Sequence, residues 1–412
     1  MPTQRSWQIV TILIVFLGVF TGAVFLHYRF VQQVPGGTDS VPRWVGTHAW
    51  VFEGLDPYSD EVTLRAQRMV NNRPALPGED KLRFAYPFYV VFYYLPFIGL
   101  DYNLARAIWM VMLEASLVGI ALLGFRTYRW SPPPWLAALT VAWVVLFYHG
   151  VRTIILWQFA GISAVLIALS IWAIKERRDV LAGVALALAS PKPQMVFLLL
   201  PLIGLWGLTA RRWKITAASI VTMAVLAGLS FLFLPTWLVE MQAQLADYTT
   251  YTYIGSPINI LTAIVFPFLG APVEIVINSA LVIWLLVEWW QVRSSDQGRF
   301  DWVLALTLLV TNLIALRTAT TNYVMMLPAL FYLFAAFARA KGRRANKWIA
   351  MVEIALFIGL WALFAFTVKG SEEQWPIYLP LPFGLLLALI AFRPRGKPQP
   401  ATAPLPQGET TR

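Results

Sequence analysis

Residues able to do chemistry fall in a few short stretches of this chain. Asp39 sits in Gly36-Gly37-Thr38-Asp39, just beyond the first apolar segment, where the two glycines permit a tight turn. A carboxylate held there can act as a general base on a hydroxyl. It can equally be a solvated loop aspartate or the cap of the helix that follows. Asp56-Pro57-Tyr58 reads as a turn signal that supports the fold. Asp60, Glu61, Glu79 and Asp80 read as solvated. Lys192, in Ser190-Pro191-Lys192-Pro193-Gln194, lies between two apolar segments. Burying it in lipid costs roughly 3 kcal/mol, so it must be hydrated or paired. A lipid phosphate is one natural partner; a snorkelling lysine is the other reading. Arg317 and Asn322, in Arg317-Thr318-Ala319-Thr320-Thr321-Asn322-Tyr323, occupy another short turn, and Arg152, just after His149, a third. These three cations either converge on one anion or are unrelated surface charges. Gln158 puts an amide inside an apolar segment, where a helix-to-helix hydrogen bond also explains it. Glu114, Glu288 and Glu353 fall in or near apolar segments and suggest no role.

The absence of cysteine excludes disulfides, thiolate metal sites and cysteine nucleophiles. The three histidines, His27, His48 and His149, are far apart in sequence, which speaks against a His-rich metal site. No cofactor is required by these residues. The scattered carboxylates of the loop after the first apolar segment could hold Mg²⁺, but nothing demands it.

The elements that must position these residues are membrane helices. The chain has 412 residues, 58% hydrophobic and only 13% charged, about half the charged share of a soluble chain. Its mean hydropathy is +0.64. The net charge of +11 does not point to nucleic acid, because the basic residues cluster between apolar runs: Lys175, Arg177 and Arg178; Arg211, Arg212 and Lys214; Lys341, Arg343, Arg344 and Lys347. Such clusters orient helices in a bilayer. The first apolar stretch, Trp7 to Phe30, is too long for a signal-peptide core and has no small-residue cleavage pattern after it, so it reads as a retained helix.

The polar stretch 31–103 reads as a first outer loop, with amphipathic patterns near Val45–Phe52 and Glu61–Val70 that suggest short helices lying on the membrane surface. Pro87 and Pro96 make Phe84–Leu100 an interfacial or re-entrant piece rather than a span. Further spans are expected near Leu104–Phe125, Trp135–Tyr148, Thr153–Ile174, Val180–Ala189, Met195–Leu208 and Ile215–Leu234. After a second outer loop, 235–270, come Val273–Trp290, Trp302–Leu316, Tyr323–Phe337, Trp348–Val368 and Ile377–Phe392. The tail 393–412 is polar and Pro-rich, as disordered segments are. The positive-inside rule then favours about twelve spans in one transmembrane domain, 1–392, with both termini cytoplasmic and the loops carrying Asp39, Lys192, Arg152, Arg317 and Asn322 on the outer face. The fold class expected is an all-α polytopic membrane protein of the plasma membrane, with membrane lipids as its surroundings.

The order of these pieces resembles a known family. One helix is followed by an Asp early in a large outer loop, Asp56-Pro57-Tyr58 and Phe84-Ala85-Tyr86-Pro87-Phe88. Then come Pro96, Ala107-x-Trp109, Gln158, Ala182-Gly183 and Lys192-Pro193-Gln194. This is similar to the GT-C membrane glycosyltransferases, and within them to glycosyltransferase family 87, the polyprenol-phosphate-mannose-dependent mannosyltransferases, which include mycobacterial enzymes acting on phosphatidylinositol mannosides. The similarity runs from Trp7 to about Leu330; each motif is loose alone, and their order and spacing carry it. It implies a GT-C-like fold in a bacterial plasma membrane and an inverting transfer, at the outer face, of a sugar such as mannose from a polyprenyl-phosphate donor to a lipid or glycan acceptor. It implies Asp39 as catalytic base, Lys192, Arg317 and Arg152 as donor-phosphate ligands, and Asn322, Gln158, Tyr86 and His48 as acceptor or sugar contacts. Two departures stand out. Tyr86-Pro87-Phe88 replaces the family's frequent Tyr-Pro-Pro. Thr320-Thr321-Asn322 replaces a Trp-x-His pattern, and Asn322 can hydrogen-bond but cannot change protonation. The competing readings are a lipid or glycan flippase, which needs polar residues along a path near the bilayer midplane, and an O-antigen-type ligase, whose large outer loop tends to come late in the chain.

Overall fold

The computed structural model describes residues 4–34, 36–251, 255–292, 297–316, 318–370 and 372–394. Arg317 and most of the tail expected to be disordered, residues 395–412, lie outside them. The described elements are helical apart from one isolated bridge between Lys369 and Glu372.

Helix α1 (Gln4–Gln33) packs against α4 (Tyr102–Thr127) and leaves most of its apolar surface exposed. Between them lie two short helices where two were expected, α2 (Val41–Glu53) and α3 (Asp60–Asn71). Ser59 caps α3 by accepting from the Val62 N–H, and Asp60 and Glu61 in its first turn suit the helix dipole. The Pro-bounded segment after them forms only broken turns, Phe88–Val90, Val91–Tyr94 and Leu95–Phe97. Ten residues cannot cross a bilayer, and Phe88, Val90, Val91 and Tyr94 are fully buried in the bundle.

The chain then runs back and forth as α5 (Pro134–Leu146), α6 (Tyr148–Ile155), α7 (Ala160–Lys175), α8 (Asp179–Leu188), α9 (Leu199–Thr209) and α10 (Trp213–Phe233). The stretch after α10 contains a helix, α11 (Trp237–Tyr251). It is followed by α12 (Gly270–Trp290), α13 (Gln297–Ile314), α14 (Leu327–Lys341), α15 (Ala345–Thr367) and α16 (Pro380–Ala391). Helix α13 is the core of the bundle: Trp302 to Leu306 and Leu308 to Val310 are wholly buried. Close helix contact depends on small residues. A Cβ on Gly183 of α8 would stand 2.3 Å from the Ile215 carbonyl of α10, and Ser219 Oγ donates to the Gly183 carbonyl at 3.1 Å.

Among the described residues, five stretches are long and apolar enough to cross a membrane, or six when the α5–α6 pair, bent by 49°, counts as one span. That is short of the twelve expected. The other apolar helices have 10–17 residues, below the roughly 20 needed for a hydrocarbon core. Proline is one cause: Pro191 and Pro193 end α8 early and start the next helix late, and Pro380 delays α16.

The two ends of the bundle differ. At one end Lys175 pairs with Asp301 at 2.5 Å, Arg212 with Asp179, and Arg299 and Arg393 with the fully buried Glu288. The turn that carries Asp39 and the loops 156–159, 189–192, 318–326 and 368–376 gather at the other end.

Candidate functional site

Asp39 lies in a single helical turn, Thr38–Ser40, set at the head of α2 by the left-handed Gly37 (φ 69°). Its Oδ2 accepts a hydrogen bond from Gln158 Nε2. Gln158 Oε1 in turn accepts from Lys192 Nζ at 2.6 Å, and the same ammonium donates to Asn322 Oδ1 at 2.8 Å. Asn322 Nδ2 reaches Thr318 Oγ1 at 3.4 Å. One polar chain, Asp39–Gln158–Lys192–Asn322, therefore joins four of the residues expected to act. Gln158, Lys192 and Asn322 are at most 6% exposed, while Asp39, at the end of the chain, is only partly buried.

Each member is placed by a local interruption of regular structure. Gln158 follows Trp157, a non-glycine residue at φ +54°, in the break between α6 and α7. Such a backbone costs about 1–3 kcal/mol and persists only where packing enforces it. Here the Trp157 ring sits among Tyr94, Tyr102 and Trp109, with centroids 5.2–6.1 Å away. Ser40 Oγ donates to the Trp157 carbonyl at 2.5 Å, tying the Asp39 turn to the Gln158 break. Lys192 is held extended by the following Pro193 and points into the bundle. Burial pushes its ammonium pKa down, with nearby Tyr86 opposing the shift.

Tyr86 belongs to the site by two contacts. Its carbonyl accepts from Tyr58 O–H at 2.5 Å, and its ring lies 3.9 Å under the Arg43 guanidinium. Helix α11 fixes that segment: Gln244 accepts from the Ala85 N–H at 2.9 Å and donates to the Tyr58 carbonyl at 2.7 Å. Lys81 and Arg83 both pair with Asp247 of α11, and the Lys81 hydrogen bond first, with Arg83 assisting and burial opposing, holds that carboxyl below the usual range. Asp56 accepts from the Tyr58 N–H at 2.8 Å, the turn expected of Asp-Pro-Tyr.

Other expected site residues stand apart from the chain. Arg152 Nε donates at 2.7 Å to Glu373, which also accepts from the hydroxyls of Tyr148, Thr320 and Tyr378. It is thus paired with a carboxylate of the last loop, and no hydrogen bond joins it to Lys192 or Asp39 among the described residues. His48 stacks between Trp44 and Phe52 along α2, with ring centroids 5.4 and 4.7 Å away. No hydrogen bond links it to Asp39 among the described residues. Arg317 is not among those residues. Among them, no group of three or more His, Asp or Glu side chains is spaced to hold a metal.

Arg43 is the site residue that sequence reasoning missed. It stands one helical turn after Asp39, within electrostatic reach of Asp39, Tyr86, Tyr94 and Lys192. Its buried Nε has no hydrogen-bond partner, and no carboxylate pairs with it among the described residues. The signal was present as the Asp39/Arg43 spacing of four, which places both on one helical face. The site thus sets one partly exposed carboxylate, one buried ammonium and one guanidinium with no carboxylate partner among the described residues within electrostatic reach of one another, an arrangement suited to a substrate that bears both a hydroxyl and an anion.

A sequence profile of glycosyltransferase family 87 matches residues 84–312, which include Tyr86, Gln158 and Lys192. No curated protein and no solved structure matches the chain. The profile covers more than half of the sequence, and the chain belongs to glycosyltransferase family 87.

Proposed function

We propose that the protein moves a sugar, mannose first among the candidates, from a polyprenyl-phosphate donor to a hydroxyl of a lipid or glycan acceptor, at the outer face of a bacterial plasma membrane. The observation that carries this reading is the chain Asp39–Gln158–Lys192–Asn322 at one end of an apolar helical bundle, with Arg43 beside it. Asp39 takes the proton of the acceptor hydroxyl. The acceptor oxygen forms its bond to the anomeric carbon from the face opposite the leaving group, and the carbon–oxygen bond to the phosphate breaks, with inversion.

The donor phosphate carries one negative charge as a diester and gains a second as it leaves. Lys192 and Arg43 are the groups that would meet that charge, in a site where little water screens them. Gln158 donates to Asp39 through Nε2 and accepts from Lys192 through Oε1, so its amide fixes the carboxylate relative to the ammonium. Asn322 holds Lys192 from the other side or contacts the acceptor. The basic end of the bundle then faces the cytoplasm, and the short helices tilt or thin the bilayer around them. No metal is needed for charge compensation in this scheme.

The test uses the full chain in lipid nanodiscs with radiolabelled polyprenyl-phosphate-mannose and a bacterial lipid extract, and glucose and arabinose donors alongside. Transfer is expected, and Asp39→Asn is expected to lower it by about 10²–10⁴-fold, the range for loss of a positioned base. Full transfer by a folded Asp39→Asn protein would refute the assigned base. No transfer from any of the three donors would refute the donor class.

A further inference from the structure

Arg106 is a buried charge that the transfer scheme does not use. It lies on α4, is 1% exposed, and no carboxylate pairs with it among the described residues. Nη1 donates to the Val34 carbonyl at 3.2 Å and Nη2 to the Ile155 carbonyl at 3.4 Å, while Nε has no hydrogen-bond partner among the described residues. A lone buried guanidinium is costly by several kcal/mol, so its two carbonyl contacts are the place to look for its use.

The two carbonyls belong to the approaches to the two ends of one hydrogen bond. Val34 ends the chain leading from α1 into Gly36–Gly37, and Ile155 ends α6 just before Trp157–Gln158. The Gly36–Gly37 turn lies directly on the guanidinium: a Cβ on either glycine would stand 2.8 Å from it, at Nη2 for Gly36 and at Nε for Gly37. Tyr102, one turn before Arg106 on α4, donates to the Gly37 carbonyl at 3.1 Å. One rigid side chain on a long helix thus touches both the Asp39 turn and the Gln158 break.

We propose that Arg106 is a positioning residue for sugar transfer, holding the Asp39 turn and the Gln158 break in register by bracing Gly36–Gly37 and the end of α6. The role rests on the reading of Asp39 as the base. Arg106 touches neither substrate nor Asp39; it acts through backbone placement.

Arg106→Lys keeps the charge and loses the planar fork that reaches two carbonyls at once. In the nanodisc assay it is expected to lower kcat roughly 10–100-fold, the scale of a misplacement of about 1 Å, and to leave the donor KM within about threefold. In a Gln158→Ala background the same change should cost less than about threefold, because coupled residues are not additive. Amide hydrogen exchange should quicken over residues 36–41 and 154–160 but not in the core of α13. Gly37→Ala presses on the same contact from the other side and keeps the test open should Arg106→Lys fail to fold. Equal losses in the presence and absence of Gln158, unchanged exchange in the two segments, or faster exchange throughout the bundle would each overturn the brace. The exchange readout needs no turnover, so its failure is distinct from a fully active Asp39→Asn, which would remove the reaction that Arg106 serves.

Discussion

Replacing Lys192 by methionine separates catalytic from structural contributions more cleanly than any other single change in the site. In the folded protein the ammonium is 2% exposed and donates to two amide oxygens, at 2.6 Å to Gln158 and 2.8 Å to Asn322. Methionine fills similar volume but donates nothing. Each orphaned amide oxygen costs about 1–3 kcal/mol. Against that, the desolvation of a buried ammonium, itself several kcal/mol, is no longer incurred. The two terms are opposite in sign and similar in size, so the net change in stability should stay within about 2 kcal/mol. No such offset exists in the transition state, where the leaving phosphate gains its second charge. Losing one preorganised donor there costs on the order of 2.7–4 kcal/mol, or about 10²–10³ in kcat. The Gln158 amide also loses the contact that orients it, and a flipped amide would turn its oxygen toward the Asp39 carboxylate. Lys192→Arg should not rescue, because a longer planar fork does not fit between two oxygens spaced for one point charge. The assay is steady-state transfer beside thermal unfolding in the same nanodiscs. If Lys192→Met is folded and within about threefold of the parent, far inside the expected loss, Lys192 does not stabilise the leaving phosphate. If activity falls only in step with stability, its role is structural.

Arg152→Met should lower thermal stability by roughly 3 kcal/mol, the low end for breaking a buried pair, because three hydroxyls still donate to Glu373. Its donor KM should not move; a several-fold rise in KM with stability intact would restore Arg152 to the phosphate site. The contact between Asp56 and Glu240 of α11 should depend on pH. Burial first, and then the neighbouring Asp56, raise the Glu240 carboxyl above its ordinary range. A raised carboxyl stabilises the fold in acid and loses that contribution as pH rises through the folded value. Hydrogen exchange in α11 should therefore quicken on going from acid to neutral pH, and Glu240→Gln should abolish the change. Exchange in α11 that is flat with pH in the parent protein would contradict this coupling.

Some of this molecule could be read directly from its residues. The apolar runs, the basic clusters between them and the short helices α2 and α3 follow from local composition and period. The turn at Gly36–Gly37 and the broken segment at Pro87–Pro96 follow from backbone chemistry, since glycine and proline act within a residue or two. Asp39, Gln158, Lys192 and Asn322 were legible as odd residues in or beside apolar stretches. Their union was not, because 119, 34 and 130 positions separate the bonded pairs, and nothing local says which turns meet.

Tertiary structure decided the rest. Arg152 and Lys192 look alike in sequence, each a lone cation in a short turn. One meets a carboxylate from the last loop; the other meets two amides and has no carboxylate partner among the described residues. Arg43 and Arg106 look like ordinary basic residues, and only packing shows that the first stands near Asp39 with no carboxylate hydrogen-bonded to it among the described residues and that the second is buried under a glycine turn. The number of helices long enough to span fell below the sequence-based count for the same reason. Hydropathy registers apolar residues, whereas helix length is set by where prolines and packed neighbours interrupt the backbone. Sequence fixes what each residue can do; the encounter of distant segments fixes which of those capacities is left unpaired, and so free to act on a substrate.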